Sequence, residues 1–323
     1  MSVTFSGAFT FSGGGFTATL APPSTNTQAW FGGGVTFSGG SVYYSTVDRI
    51  TYATDTATAS VRGPLSSAIN GLAAAGNTTD GWFGGGAPFN YSVVQRITYE
   101  TDTATASVRG PLSSARYSLA ATGNSTNGWF GGGFPQPAQS TVDRITYATD
   151  TNTTSLRGPL SLARYILAAA GNSDYGWFGG GNNSGYKSTV DRITYATDTA
   201  TASARGPLSL GRAYLAATGN STNAWFVGGY GGEYSSTVQR ITYATDTATA
   251  SVRGPLSSAR YLLAAAGNTT DGWFGGGGIY SGGSVYYSTV DRITSATDTA
   301  TASVRGPLST ARIELAAASN ISL

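Results

Sequence analysis

The sequence predicts an all-β protein, a closed ring of six similar blades with four short strands in each, that is, a six-bladed β-propeller. Three observations carry this reading. An aromatic pair with a glycine run, Trp-Phe-Gly-Gly-Gly, recurs at Trp30, Trp82, Trp129, Trp177, Trp225 (with Val227 in place of the first glycine) and Trp273, which are all the tryptophans of the chain. Their spacings are 52, 47, 48, 48 and 48 residues, in the range of four-stranded propeller blades. The chain has 46 glycines and only 11% charged residues, and its Ala-rich runs are short and flanked by Gly-Asn turns, so no stable helix is expected.

One unit reads as follows. Leu215-Ala-Ala-Thr is the first strand, and Gly219-Asn-Ser-Thr-Asn is a turn rich in residues that tolerate positive φ. Trp225-Phe-Val-Gly-Gly is the second strand and Val238-Gln-Arg-Ile-Thr-Tyr-Ala the third. Thr245-Asp-Thr is a turn in which the aspartate is expected to cap its own backbone. Ala248-Thr-Ala-Ser-Val-Arg is the fourth strand, and Gly254-Pro-Leu leads to the next blade. Small residues suit crowded strands near a propeller axis. Because side chains alternate faces along a strand, tryptophan and phenylalanine should pack toward opposite neighbouring blades.

The Leu-Ala strand occurs once too often, at Leu20, Leu72, Leu119, Leu167, Leu215, Leu263 and Leu315. Pro22-Pro23 spoils the first copy. The last copy is therefore expected to return to the first blade and pair beside Trp30-Phe-Gly-Gly-Gly, closing the ring. Residues 1–25, with Phe5, Phe9, Phe11 and Phe16 in short extended pieces, would form an N-terminal arm, and residues 26–323 the propeller.

Arg260, Leu263-Ala-Ala-Ala, Trp273-Phe-Gly-Gly-Gly and Asp291-Arg-Ile-Thr resemble the blades of kelch-type β-propellers over about residues 30–323, although the fourth strand, Thr-Ala-Ser-Val-Arg, lacks the late tryptophan of that family. Segments such as Ser188-Thr-Val-Asp-Arg-Ile and Leu215-Ala-Ala-Thr-Gly-Asn also resemble repeats in virion structural proteins of marine bacteriophages. That resemblance implies a non-enzymatic tail, fibre or decoration protein located in a virion, with other virion proteins and host-surface glycans as partners. A carbohydrate-binding, lectin-like adhesin is the alternative, and a glycan-degrading enzyme a third reading.

Composition excludes several chemistries. With no cysteine and no histidine, disulfides, Cys/His zinc sites and Ser-His-Asp triads are impossible. No cofactor or metal is expected. The net charge is +2, and the arginines recur at regular repeat positions, which gives no case for nucleic acid. The N-terminus has no apolar signal region and no run reaches the roughly 20 apolar residues of a membrane span.

The 17 arginines form three sets. The first is Arg49, Arg96, Arg144, Arg192, Arg240 and Arg292. The second is Arg62, Arg109, Arg157, Arg205, Arg253 and Arg305. The third is Arg116, Arg164, Arg212, Arg260 and Arg312, with Ile69 in the sixth place. Facing them are Asp55, Asp102, Asp150, Asp198, Asp246 and Asp298, and a partial set of Asp48, Asp143, Asp191 and Asp291. Such regular repetition reads as structural pairing, because a catalytic site needs different residues converging from different blades. Only Asp80, Asp174, Asp271, Glu100, Glu233 and Glu314 break the pattern and could supply paired carboxylates. The Asn-x-Thr triplets at Asn77, Asn124, Asn220 and Asn268 read as turn chemistry.

The blades differ most between the glycine run and the third strand. These loops carry Phe37, Tyr43, Tyr44, Phe89, Tyr91, Phe134, Tyr186, Lys187, Tyr230, Tyr234, Tyr280, Tyr286 and Tyr287. Following the same strand in each blade, they should emerge on one face, as a binding surface of rigid rings and adaptable polar groups.

Overall fold

The structure, a computed structural model, describes residues 10–12, 15–17, 27–37, 39–135 and 137–320. It is a six-bladed propeller of four-stranded antiparallel sheets. In the third blade the strands are Ala120–Gly123, Asn127–Gly131, Val142–Thr146 and Ser155–Arg157, counted from the axis outward. The fourth strand is shorter than the sequence suggests: its expected first half, Asn152 to Thr154, is a turn that returns from a short 3₁₀ segment, Tyr147–Thr149.

The first blade is built from both ends of the chain. Ala316–Ser319 is its inner strand and pairs antiparallel with Gln28–Gly32, in the register Trp30 opposite Ala318. Asn320 extends the seam, its Oδ1 accepting the backbone N–H groups of Thr27 and Gln28. The closure expected from the surplus Leu-Ala copy is therefore present. Of the expected arm, Thr10–Ser12 and Gly15–Thr17 pair as a hairpin, while Phe5, Phe9, Leu20 and the Pro22-Pro23 pair lie outside the described residues.

Alternation along the second strand sends its two rings to opposite neighbours. Trp30 packs with Phe83 and Tyr99 of the second blade, and Phe31 with Trp273 of the sixth. Five of the tryptophans stack face to face on the tyrosine that opens the 3₁₀ segment of the next blade, with ring centroids 3.7–3.8 Å apart. In the sixth blade Ser295 stands where the others have tyrosine. Trp225, which would stack there, is 5% exposed, against 0–1% for the other five.

The aspartate after each 3₁₀ segment does not cap its own turn as expected. It reaches back to the preceding blade. Asp198 Oδ2 accepts the Trp129 indole N–H at 2.8 Å and lies 3.2 Å from Arg144 Nη1 and 3.5 Å from Arg157 Nε. Asp102 does the same with Trp30, Arg49 and Arg62, and Asp55 with Trp273, Arg292 and Arg305, across the closure. The backbone follows: Gly158 N–H donates to Asp198 C=O at 2.8 Å. A Cβ on Gly158 would lie 1.9 Å from Ala200 C=O, so only glycine admits this approach.

Four of the five arginines of the third set pair with an aspartate of their own blade. Arg116–Asp143, Arg164–Asp191, Arg260–Asp291 and Arg312–Asp48 are 2.7–3.0 Å ion pairs with no side-chain exposure. The hairpin asparagines act as turn residues: Asn124 Oδ1 accepts the N–H groups of Thr126 and Asn127, and Asn124 Nδ2 donates to Ser173 C=O of the next blade.

Two predictions follow from the blade interfaces. Asp198→Ala strips the acceptor from Trp129 and two arginines and should cost about 3 kcal/mol, since it leaves buried donors unpaired; urea unfolding measures it. Ser295→Tyr restores the missing stack on Trp225 and should add about 1 kcal/mol. An unchanged or lower unfolding midpoint for that variant would contradict the role given to the stack.

Candidate functional site

The six inner strands leave a channel along the axis, lined mostly by alanine and glycine. At the end where the variable loops emerge, each inner strand is preceded by a residue in the left-handed region: Gly71, Ser118, Ile166, Tyr214, Leu262 and Glu314, with φ of 51–62°. Only one of the six is glycine, and each of the others carries the cost of a Cβ in this region, highest for β-branched Ile166. A closed circuit of hydrogen bonds holds them there. Ser118 N–H donates to Gly71 C=O, Ile166 to Ser118, Tyr214 to Ile166, Leu262 to Tyr214, Glu314 to Leu262 and Gly71 to Glu314, at 2.6–3.0 Å.

These six positions are equivalent in the repeat, yet all six residues differ. They and the leucines after them enclose a cavity of about 120 Å³ at the channel mouth, with Glu314 the single charged side chain in its wall. For scale, an engineered apolar cavity of ~150 Å³ accepts a benzene ring. Asn70 Nδ2 donates to Glu314 Oε2 in a short hydrogen bond. Burial holds the Glu314 carboxyl above its ordinary range, and the Asn70 bond offsets this only in part. Tyr117, Tyr214 and Tyr261 surround the same carboxyl, and burial raises all three, Tyr261 to about 12. The cavity wall therefore carries the Glu314 acid, the Tyr214 phenol and the Ser118 hydroxyl among alanines and leucines, with the Asn70 amide and the Tyr117 and Tyr261 phenols beside the acid.

The variable loops rise around this mouth, as the sequence implies. Isolated bridges tie each loop to the residue just before the mouth ring: Tyr117 to Phe134, Tyr165 to Asn182, Ala213 to Tyr230 and Tyr261 to Gly278. Two runs of contacting rings result. One is Tyr117, Phe134 and Tyr165, with centroids 5.1–5.3 Å apart. The other runs Tyr186, Tyr230, Tyr234, Tyr261 and Tyr214, at 5.1–5.6 Å. Of the loop residues singled out in the sequence, Phe134, Tyr186, Tyr230 and Tyr234 thus join the mouth cluster. Phe37, Phe89 and Tyr280 stand exposed farther out, and Phe89 meets Tyr91 edge to face at 6.1 Å.

The remainder knit the loops together. Tyr286 Oη accepts Phe37 N–H, and Tyr234 Oη both accepts Tyr280 N–H and donates to Tyr280 C=O. Tyr44 Oη lies 3.3 Å from Thr36 Oγ1, and Tyr43 sits in the short hairpin of the first loop. Lys187 and Tyr287 are half-buried, and their backbone N–H groups bond the glycine run. Tyr117, Tyr165, Tyr214, Tyr261 and Asn70 were not evident as site residues from the loops alone. Their signal was the divergence of the two residues before each Leu-Ala strand.

The pattern-breaking acids do not converge. Asp80, Asp174 and Asp271 lie at the hairpins of the opposite face, where Asp80 and Asp271 approach Arg96 and Arg292, and Glu100 is exposed in a 3₁₀ segment on that same face. Glu233 lies in an outer loop, and only Glu314 reaches the mouth. Among the described residues no cluster of acids could hold a metal, and no helix is long and apolar enough to cross a membrane.

No family model matches the chain, and no curated protein does. Among solved structures, the one titled "Structure of YjhT" aligns with a TM-score of 0.64 over 77% of this chain and 87% of that one, at 11% identity. That identity carries the fold alone. The finding also corrects the readings built on the bacteriophage resemblance, because the matched propeller is YjhT and not a virion component. The virion assignment, the virion location and the virion partners fall with it. The exclusion of an enzyme falls as well. It rested on the bacteriophage resemblance, on the missing histidine and cysteine and on the regular repetition of the charged residues, whereas six different residues converge at the mouth.

The elevated Glu314 carboxyl makes a signed prediction. The folded protein keeps this proton over a range in which the unfolded chain has lost it, so the group weakens the fold as pH rises from about 4.5 through the folded-state value. Glu314→Gln keeps an acceptor for Asn70 and removes the titration. The wild-type stability minus that of the variant, from urea unfolding, should fall as pH rises above 4.5; a difference that stays flat removes the assignment.

Proposed function

We propose that the protein binds carbohydrate on its loop face, with one sugar ring at the mouth of the central channel. The observation that carries this reading is the divergence of six equivalent residues around one small cavity, in blades that are otherwise near copies. A binding site on a symmetric ring needs such asymmetry, and a concave apolar pocket with a few convergent polar groups is the usual form of a small-ligand site.

The chemistry of the mouth suits a sugar. Tyr214, Tyr261 and Tyr234 offer ring faces to the apolar C–H face of a pyranose. Glu314 and Asn70 offer a donor and acceptors to its hydroxyls. Phe37, Phe89 and Tyr280, exposed on the surrounding loops, extend the same kind of contact outward to further sugar units. The loops cross-bond one another, so little ordering is needed on binding, which favours affinity.

A second reading, proton transfer on the bound sugar, is supported by the raised Glu314 carboxyl. A carboxylic acid that burial holds above its ordinary range is better suited to general-acid work than a free carboxyl. The cavity wall contains one carboxyl, not the pair that a typical glycosidase uses, so single-acid chemistry is the form this reading takes.

A glycan array followed by titration calorimetry tests both readings. Tyr261→Ala and Tyr234→Ala should each weaken binding about tenfold or more, a loss of roughly 1.4 kcal/mol, without changing the melting temperature much. Absence of any glycan ligand, or ligands insensitive to both variants, would reject the carbohydrate reading. If the second reading holds, Glu314→Gln abolishes turnover of the bound sugar while retaining its binding.

A further inference from the structure

Four blades bury an arginine against an aspartate of the third strand at 2.7–3.0 Å. The second blade has lost both partners together, with Ile69 and Gln95 in their places, the change expected to be nearly neutral because no charge is left behind. The fifth blade has lost only one. Arg212 remains, 1% exposed, and Gln239, 0% exposed, stands in the place of the aspartate.

Gln239 cannot neutralise the guanidinium. Its Oε1 is taken up by Ser209 N–H at 2.6 Å, and its Nε2 is buried without an acceptor. Arg212 places all its hydrogen bonds on Nη1, to Gly228 C=O, Thr237 C=O and Ser235 Oγ at 2.9–3.1 Å. Its Nη2 and Nε have no partner. An unpaired Nε occurs in sister blades too, and Arg164 also leaves Nη1 unpaired while its Nη2 meets Asp191; Arg212 alone of the five has no aspartate. Desolvation with no opposing anion lowers Arg212 to about 10.

The surroundings differ in the same direction. Arg212 lines a cleft of about 630 Å³ with Gly231, Tyr234, Ser235 and Thr237. Two glycines shape it. A Cβ on Gly211, where the other blades have alanine, would lie 2.7 Å from Tyr186 C=O, and one on Gly231 would lie 2.6 Å from Gly211 C=O. An uncompensated buried cation, an unpaired amide donor and an adjoining cleft occur together only where the aspartate is missing.

We propose that Arg212 forms an anion subsite at the wall of this cleft in the fifth blade, which takes the carboxylate group of a ligand as the charge partner that Asp143, Asp191, Asp291 and Asp48 supply in the sister blades. Arg212 donates to the carboxylate from the wall of the cleft, and Tyr234, which lines the same cleft and belongs to the aromatic run, connects the subsite to the mouth. Carbohydrate binding is not required for the subsite to exist. Glu233, exposed in the same cleft, makes no ion pair with Arg212 in the structure.

Thermal unfolding in sodium acetate against sodium chloride at equal ionic strength tests this, since a ligand bound only by the folded state raises the melting temperature with concentration. The wild type should show an acetate-dependent rise. Gln239→Asp installs the pair found in four sister blades, so this variant should fold, melt higher without acetate, and lose the acetate response. Glu233→Gln should leave the response intact or enlarge it. The proposal is overturned by a wild type indifferent to acetate, by an equal response in Gln239→Asp, or by a fall in melting temperature of acetate-free Glu233→Gln, which would make Glu233 the internal partner. A response to phosphate alone would overturn the carboxylate assignment.

Discussion

Each joint between blades depends on a carboxylate that belongs to one blade and is neutralised by the other. Asp198 accepts an indole N–H and lies against two guanidinium groups of the preceding blade, and the same contact recurs around the ring. Sharing one carboxylate among three donors solves a specific problem. The tryptophan must be buried between sheets, and its N–H then needs an acceptor. A neutral acceptor would leave the flanking arginines unpaired, and an unaccompanied carboxylate would be costly to desolvate. Together the groups satisfy one another, and the flat stack of tyrosine on tryptophan excludes water above them.

This explains which parts of the molecule were legible in its sequence. Fold, blade number and closure follow from repetition, because a residue type required by packing must reappear wherever the packing does. Opposite packing of Trp30 and Phe31 follows from strand alternation alone. The destination of Asp198 did not follow: a Thr-Asp-Thr turn normally keeps its aspartate local, and only the adjacent blade reveals the competing donors. The loop aromatics were legible as a surface and Glu314 as a pattern-breaking acid, but Tyr214 and Glu314 were not legible as neighbours at one site. They hide beside invariant leucines, and their convergence on the axis is a property of the closed ring.

The mouth also shows how a symmetric scaffold acquires asymmetric chemistry. Backbone groups alone make the hydrogen-bond circuit from Gly71 through Glu314, so it persists whatever side chains project from it. Left-handed geometry at Ile166 is an expense that packing would not by itself select, and strain of this kind gathers where a position has a task beyond stability. Framework and chemistry are thereby separated by a single residue: the leucine that follows is constant and buried, while the residue before it is free to vary.

The seam at the first blade has a temporal meaning. Gln28–Gly32 is made before the five complete blades, and its inner neighbour Ala316–Ser319 after them. Domains tend to organise from the N-terminus as the chain lengthens, and here the first second strand must wait with its inner edge open while five complete blades assemble behind it. Those blades offer near-identical inner strands as competitors for that edge. Correct closure is then a matter of timing: each competitor is consumed by its own second strand, which follows within a few residues, and only the final copy arrives with no partner of its own.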